Sequence, residues 1–121
     1  MRKIIQIVED DGDIRFIVSY ILEDAGYIVE TFENAQAFLN RKRREDVDLV
    51  ILDVMLPDGN GIELCKELKM HYATSKIPVI IMSAHESLDK VFKEGKADDF
   101  ITKPFDLERF TAKVGTILAV R

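Results

Sequence analysis

The chain has no tryptophan, a single cysteine and no extended apolar run in its 121 residues. Each shortage removes a class of explanation. One thiol, Cys65, excludes an intrachain disulfide and fits a reducing compartment. No stretch approaches the ~20 apolar residues of a membrane span. The basic start Met1-Arg2-Lys3-Ile4 meets Glu9 too soon to be a signal peptide. Basic residues are also short: 17 Lys and Arg stand against 22 Asp and Glu, a net charge of −5, which argues against direct nucleic-acid binding or a membrane surface. Repeats, linkers and low-complexity segments are absent. What remains is 47% apolar and 32% charged residues, the composition of one globular domain over 1–121, expected in the cytoplasm.

The central stretch is Val47-Asp48-Leu49-Val50-Ile51-Leu52-Asp53. Leu49 to Leu52 is a short β-branched apolar run, the pattern of a strand buried on both faces. It stops on Asp53, and the turn chemistry of Leu56-Pro57-Asp58-Gly59-Asn60-Gly61 follows. Ile4 to Val8 leads likewise into Glu9-Asp10-Asp11, Val79 to Met82 into Ser83-Ala84, and Phe100 to Thr102 into Lys103-Pro104. The more polar Tyr27 to Thr31 reads as a strand nearer an edge. Helices fill the intervals. Asp13 is the expected cap for Ile14, Ile17, Val18, Ile21 and Leu22, and Gly26 ends that helix. Asn34 caps a short helix facing inward with Ala35, Ala37, Phe38 and Leu39. The run Arg41-Lys42-Arg43-Arg44 complements the dipole at the end of that helix. Gly61 to about Tyr72 buries Ile62, Leu64, Cys65 and Leu68, with Cys65 as a small core residue. A short stretch with Leu88, Val91 and Phe92 forms a fourth helix, and Asp106 caps a last one through Leu107, Phe110, Val114, Ile117 and Leu118. Five strand–helix alternations predict an α/β fold, a doubly wound parallel sheet with helices on both faces.

Strands that end in acids bring those acids to the carboxyl edge of the sheet, where open α/β folds bind ligands. Clustered carboxylates raise one another's pKa unless a cation intervenes. Mg²⁺ suits them, being hard and held by one or two carboxylates with water and phosphate oxygens completing its octahedron. Alone, Asp10 reads as a helix cap, Asp53 as a turn initiator and Lys103-Pro104 as a surface turn. Their joint occurrence on successive strand ends reverses that balance.

Taken in order, Val8-Glu9-Asp10-Asp11, Ile51-Leu52-Asp53, Leu56 to Gly61, Met82-Ser83-Ala84 and Ala97 to Phe105 resemble the receiver domain of bacterial two-component response regulators. The resemblance spans the whole chain and implies a flavodoxin-like five-stranded sheet of order 2-1-3-4-5. It implies that Asp53 accepts a phosphoryl group from a histidine kinase's phosphohistidine. Mg²⁺ is then held by Asp10, Asp53 and the main-chain carbonyl of Met55, with Glu9 acting through water. Ser83, the Ala84 N–H and Lys103 meet the phosphoryl oxygens, Ser83 and Phe100 form the switch pair, and the Lys103-Pro104 peptide is cis. Implied partners are a sensor histidine kinase or phosphotransfer protein and a downstream output domain or protein, with phosphorylation-dependent homodimerisation an allowed outcome. The output face is the fourth helix, fifth strand and fifth helix. Catalysis is limited to the domain's own phosphorylation and dephosphorylation.

Two other classes compete. A Mg²⁺-dependent phosphohydrolase with Asp53 as covalent nucleophile needs a substrate pocket and a second acid, for which 121 residues leave no cap domain. A flavodoxin-like cofactor carrier needs a phosphate loop after the first strand, where Glu9-Asp10-Asp11 repel phosphate. The chain also departs from the receiver pattern. Ser83 to Lys103 is about two residues short by comparison with the family, Gly95-Lys96-Ala97 replaces the commoner Ala-Gly-Ala, and Phe100 lacks a Tyr hydroxyl. Met55 and His85, two residues beyond Asp53 and Ser83, are the positions expected to set dephosphorylation rate.

Overall fold

The computed structural model describes residues 2–42, 46–84 and 96–119. Strands β1 (Ile4–Val8), β2 (Ile28–Phe32), β3 (Leu49–Asp53), β4 (Val79–Ser83) and β5 (Asp99–Thr102) form one five-stranded sheet in the order β2-β1-β3-β4-β5. Every pairing in it is parallel. Helices α1 (Gly12–Asp24), α2 (Ala35–Leu39) and α3 (Gly61–Met70), with the C-terminal helix Leu107–Ala119, connect and cover the strands. The architecture is the doubly wound α/β fold read from the sequence.

β1, β3 and β4 are buried at every position, as expected of strands covered on both faces. β2 is an edge strand and is correspondingly half-exposed. Alternate strand residues feed two cores. Ile4, Val8, Val50, Leu52 and Ile81 meet Phe38 of α2 and Leu64, Cys65 and Leu68 of α3. On the other face Ile5, Ile7, Ile51, Ile80 and Met82 meet Val18 and Leu22 of α1 and Phe110, Val114 and Leu118 of the C-terminal helix. Burial pushes the Cys65 thiol up to about 12, so it serves as packing and not as a nucleophile.

Several local details differ from expectation. The cap of α1 is Asp11, whose carboxylate accepts from the N–H groups of Asp13 and Ile14 at 2.9 and 3.1 Å. Asp13 sits inside the first turn, because the acid that can fold back on two free amides is the one just before Gly12. Leu39 and Ile17 are 51% and 45% exposed, so neither faces the core as its spacing suggested. α2 stops at Leu39, and Arg41 donates to the Phe38 carbonyl at 2.8 Å with its guanidinium over the Phe38 ring. That places Arg41, the first residue of the basic run, at the helix end, while Arg43 and Arg44 lie outside the described residues. α3 ends at Met70, two residues early, with His71 as its cap. Gly26 closes α1 with φ +100°, a conformation only glycine takes without strain. The expected fourth helix, with Leu88, Val91 and Phe92, and His85 before it, lie outside the described residues.

Candidate functional site

Strand register assembles the site. Val8 lies beside Leu52, Asp53 beside Met82, and Ser83 beside Thr102. The residues at or just past these positions, Glu9, Asp53, Ser83 and Lys103, therefore step across four adjacent strand ends. The backbone fixes the steps: Glu9 N–H donates to the Phe32 carbonyl at 3.0 Å, Val54 N–H to Met82 at 3.0 Å, and Lys103 N–H to Ser83 at 2.9 Å.

Lys103 is the hub. Its Nζ donates to Glu9 Oε1 at 2.6 Å and to Asp53 Oδ2 at 2.9 Å. Both acids are buried, Glu9 completely, whereas Asp10 is exposed. Carboxylate oxygens of Glu9, Asp10 and Asp53 all lie within 4.8 Å of one another. Burial, then the contact with Asp53, raises the Glu9 pKa to about 7 against the opposing pull of Lys103. Burial alone would lower the Lys103 pKa, but its bonds to the two carboxylates outweigh that and raise it. One ammonium thus meets two of three clustered acids, Glu9 and Asp53, and the cluster is short of positive charge.

The remaining expected residues are placed as follows. Ser83 is buried at the end of β4 and Ala84 is exposed beside it. Met55 is exposed and its N–H donates to Asp53 Oδ1 at 3.3 Å. The Lys103–Pro104 peptide bond is cis. Phe100 is half-buried on β5, and Lys113 of the C-terminal helix donates to both its carbonyl and Asp99 Oδ1 at 3.1 Å. Sequence reasoning missed the two-residue strands Met55–Leu56 and Gly59–Asn60, which pair antiparallel as a hairpin directly after Asp53. It also missed Arg15, whose Nη1 donates to the Glu9 carbonyl at 2.8 Å and steadies the first acidic loop. No spacing rule signals a bond from a helix side chain back to the loop before it.

The donor set is oxygen-only, partly open to solvent at Asp10 and deficient in positive charge, and it fits a hard divalent cation such as Mg²⁺. No described helix is long and apolar enough to cross a membrane.

Comparison with known proteins gives a consistent picture. Residues 5–115 match the model of the response regulator receiver domain. The chain is 39% identical over 120 residues to the alkaline phosphatase synthesis transcriptional regulatory protein PhoP of Bacillus subtilis, covering 98% of this chain and 49% of that protein. It is 35% identical, with a TM-score of 0.86, to the structure of response regulator DrrB, a Thermotoga maritima OmpR/PhoB homolog, covering 98% of this chain and 54% of the other. A chemotaxis response regulator of Vibrio cholerae superposes with a TM-score of 0.87 at 28% identity, covering 97% of this chain and 99% of that one. The chain spans about half the length of the curated relatives it matches.

Proposed function

This chain belongs to the response regulator receiver domain family, and on that premise we propose that Asp53 is its phosphoacceptor. The observation that carries this assignment is the Asp53 carboxylate at the end of the central strand, 2.9 Å from the Lys103 ammonium and within 4.8 Å of the Glu9 and Asp10 oxygens. In the reaction an Asp53 oxygen attacks the phosphorus of a phosphohistidine on a kinase or phosphotransfer partner. The new P–O bond forms as the P–N bond breaks, and the released imidazole takes a proton from solvent. Asp53 attacks as the carboxylate and needs no general base.

Phosphoryl transfer leaves a protein mainly positioning and charge neutralisation to supply. Lys103 already touches Asp53 and supplies a cation to the equatorial oxygens. The Ser83 hydroxyl and the Ala84 N–H follow on the neighbouring strand end. Asp10, Asp53 and the Met55 carbonyl are the residues proposed to hold Mg²⁺, with Glu9 behind them. Bound there, the ion neutralises negative charge on the acids and on the entering phosphoryl group.

The chain's own chemistry is confined to gaining and losing this phosphoryl group, and the signalling role of its relatives supports that over a phosphohydrolase. The output is proposed to be read from β5 and the C-terminal helix, where Phe100 can turn inward as Ser83 moves toward the phosphoryl group. A small phosphodonor with Mg²⁺ should add one phosphoryl group, with roughly −1.5 to −2 charge at pH 7. Mass spectrometry and mobility are the readouts, because the chain has no tryptophan. Undiminished labelling of Asp53→Ala would sink the assignment.

A further inference from the structure

We infer that Asp58 is a positioning residue for the acceptor site, a strap that holds the Met55–Asn60 hairpin against α2 and so fixes the spacing between the two acidic loops. An Asp in a Pro-Asp-Gly turn ordinarily bonds amides of its own loop. Here the two carboxylate oxygens reach another element: Oδ1 accepts from Ala35 N–H at 2.8 Å and Oδ2 from Gln36 N–H at 2.9 Å. These bonds hold the Asp58 pKa below the ordinary carboxylate range although the side chain is exposed.

The strap closes a circuit across the top of the sheet. On one side Glu9 N–H is bonded to the last carbonyl of β2, and α2 begins three residues after that strand. On the other side the hairpin starts at Met55, whose N–H is bonded to Asp53. Asp58 joins the two halves. The hairpin backbone is pressed close, since a Cβ built on Gly59 would stand 3.1 Å from the Ala35 Cβ. Leu56 is buried in the core shared by α2 and α3.

α2 depends on this contact in turn. Five residues are too few to persist as a helix unaided. Asn34 Oδ1 accepts from Ala37 N–H at 2.7 Å, and Asp58 takes the Ala35 and Gln36 amides. Removing the Asp58 carboxylate therefore frees the hairpin tip and, with it, the segment carrying the Met55 carbonyl. The consequence for Mg²⁺ rests on the proposed metal reading; the consequence for the hairpin does not.

The experiment compares Asp58→Ala, Asp58→Asn and Asn34→Ala with wild type, using calorimetric Mg²⁺ titration, thermal melts and NMR amide exchange of the metal-free protein. Asp58→Ala should bind Mg²⁺ about tenfold more weakly, the low end for losing an outer partner of a metal ligand. Asp58→Asn, which keeps one acceptor oxygen, should fall between and serves if the alanine variant fails to fold. The Met55 and Gly61 amides, bonded to Asp53 and to the Val54 carbonyl, should exchange faster in both variants. Asn34→Ala removes one capping bond of α2 but leaves both Asp58 bonds in place, and should weaken Mg²⁺ binding less than Asp58→Ala does. Wild-type protection of Met55 and Gly61 in the folded Asp58 variants would overturn the strap. So would equal loss of Mg²⁺ affinity in Asn34→Ala. If wild type binds no Mg²⁺, the metal reading fails, and amide exchange still decides the strap.

Discussion

Replacing Glu9 with Gln should make the metal-free protein more stable above neutral pH while changing it little in mild acid. Glu9 is fully buried and its pKa is raised from 4.5 to about 7, chiefly by burial and then by Asp53. The sign follows from linkage. The folded state binds the Glu9 proton more tightly than the unfolded state, so stability from this residue is complete below 4.5 and is lost as pH rises through about 7. The whole difference corresponds to about 3 kcal/mol, at 1.36 kcal/mol per pKa unit, and most of it is lost between pH 5 and pH 8. Lys103 does not alter the sign, because its raised pKa keeps it charged across this window. Urea unfolding in a chelator, followed by far-UV circular dichroism, measures the effect. The stability difference between Glu9→Gln and wild type should grow by roughly 2 kcal/mol or more from pH 5 to pH 8. Saturating Mg²⁺ should shrink it, since the cation favours the ionised carboxylate. A difference that stays flat across the pH range would mean that Lys103 already holds Glu9 ionised and that the metal-free site is not short of positive charge.

Asp10→Asn should sharply weaken Mg²⁺ binding by calorimetry, since Asp10 is the exposed acid of the cluster and its loss leaves a cation less neutralised. Gly61→Ala should destabilise the fold by about 1–3 kcal/mol in urea titrations. A Cβ there would overlap the Asp53 carbonyl oxygen, so an unchanged midpoint would contradict the packing. Met55→Asn should shorten the lifetime of the phosphorylated protein, because the exposed thioether cannot orient an attacking water and an amide can. Decay no faster than wild type would count against that reasoning.

The sequence disclosed most of the sheet because its strands are of the least ambiguous kind. Leu49 to Leu52 and Val79 to Met82 are apolar throughout, and they prove buried throughout. Strand ends marked by Asp53, Ser83 and Lys103 placed the site at one edge before any geometry was known. Cap identity was less legible. Asp11 and Asp13 both precede apolar helical spacing, and only backbone conformation decides between them. Leu39 misled for a related reason: the helical pattern runs on, but the helix stops there and turns the side chain outward. The Asp58 contacts were invisible because the partners lie 23 and 22 residues away, beyond any local rule. Their only local trace is an acid in a turn, which turn chemistry already accounts for.

The placement of Lys103 has a consequence for how the site can respond. In the unphosphorylated protein its ammonium is shared between Glu9 and Asp53, at 2.6 and 2.9 Å. Phosphorylation at Asp53 would add negative charge and three acceptor oxygens on one side of that balance. The ammonium must then redistribute between the acids, and Glu9, buried and disfavoured as an anion, is the weaker competitor. Lys103 cannot make this adjustment alone. Its N–H is bonded to the Ser83 carbonyl, and it directly follows β5, the strand that carries Phe100. Phe100 is linked through its carbonyl to Lys113 on the C-terminal helix. A charge change at the end of β3 thus acts on a residue covalently continuous with β5. The short electrostatic path runs toward β5 and the C-terminal helix, whereas the Asp58 strap ties the opposite side of the site to α2.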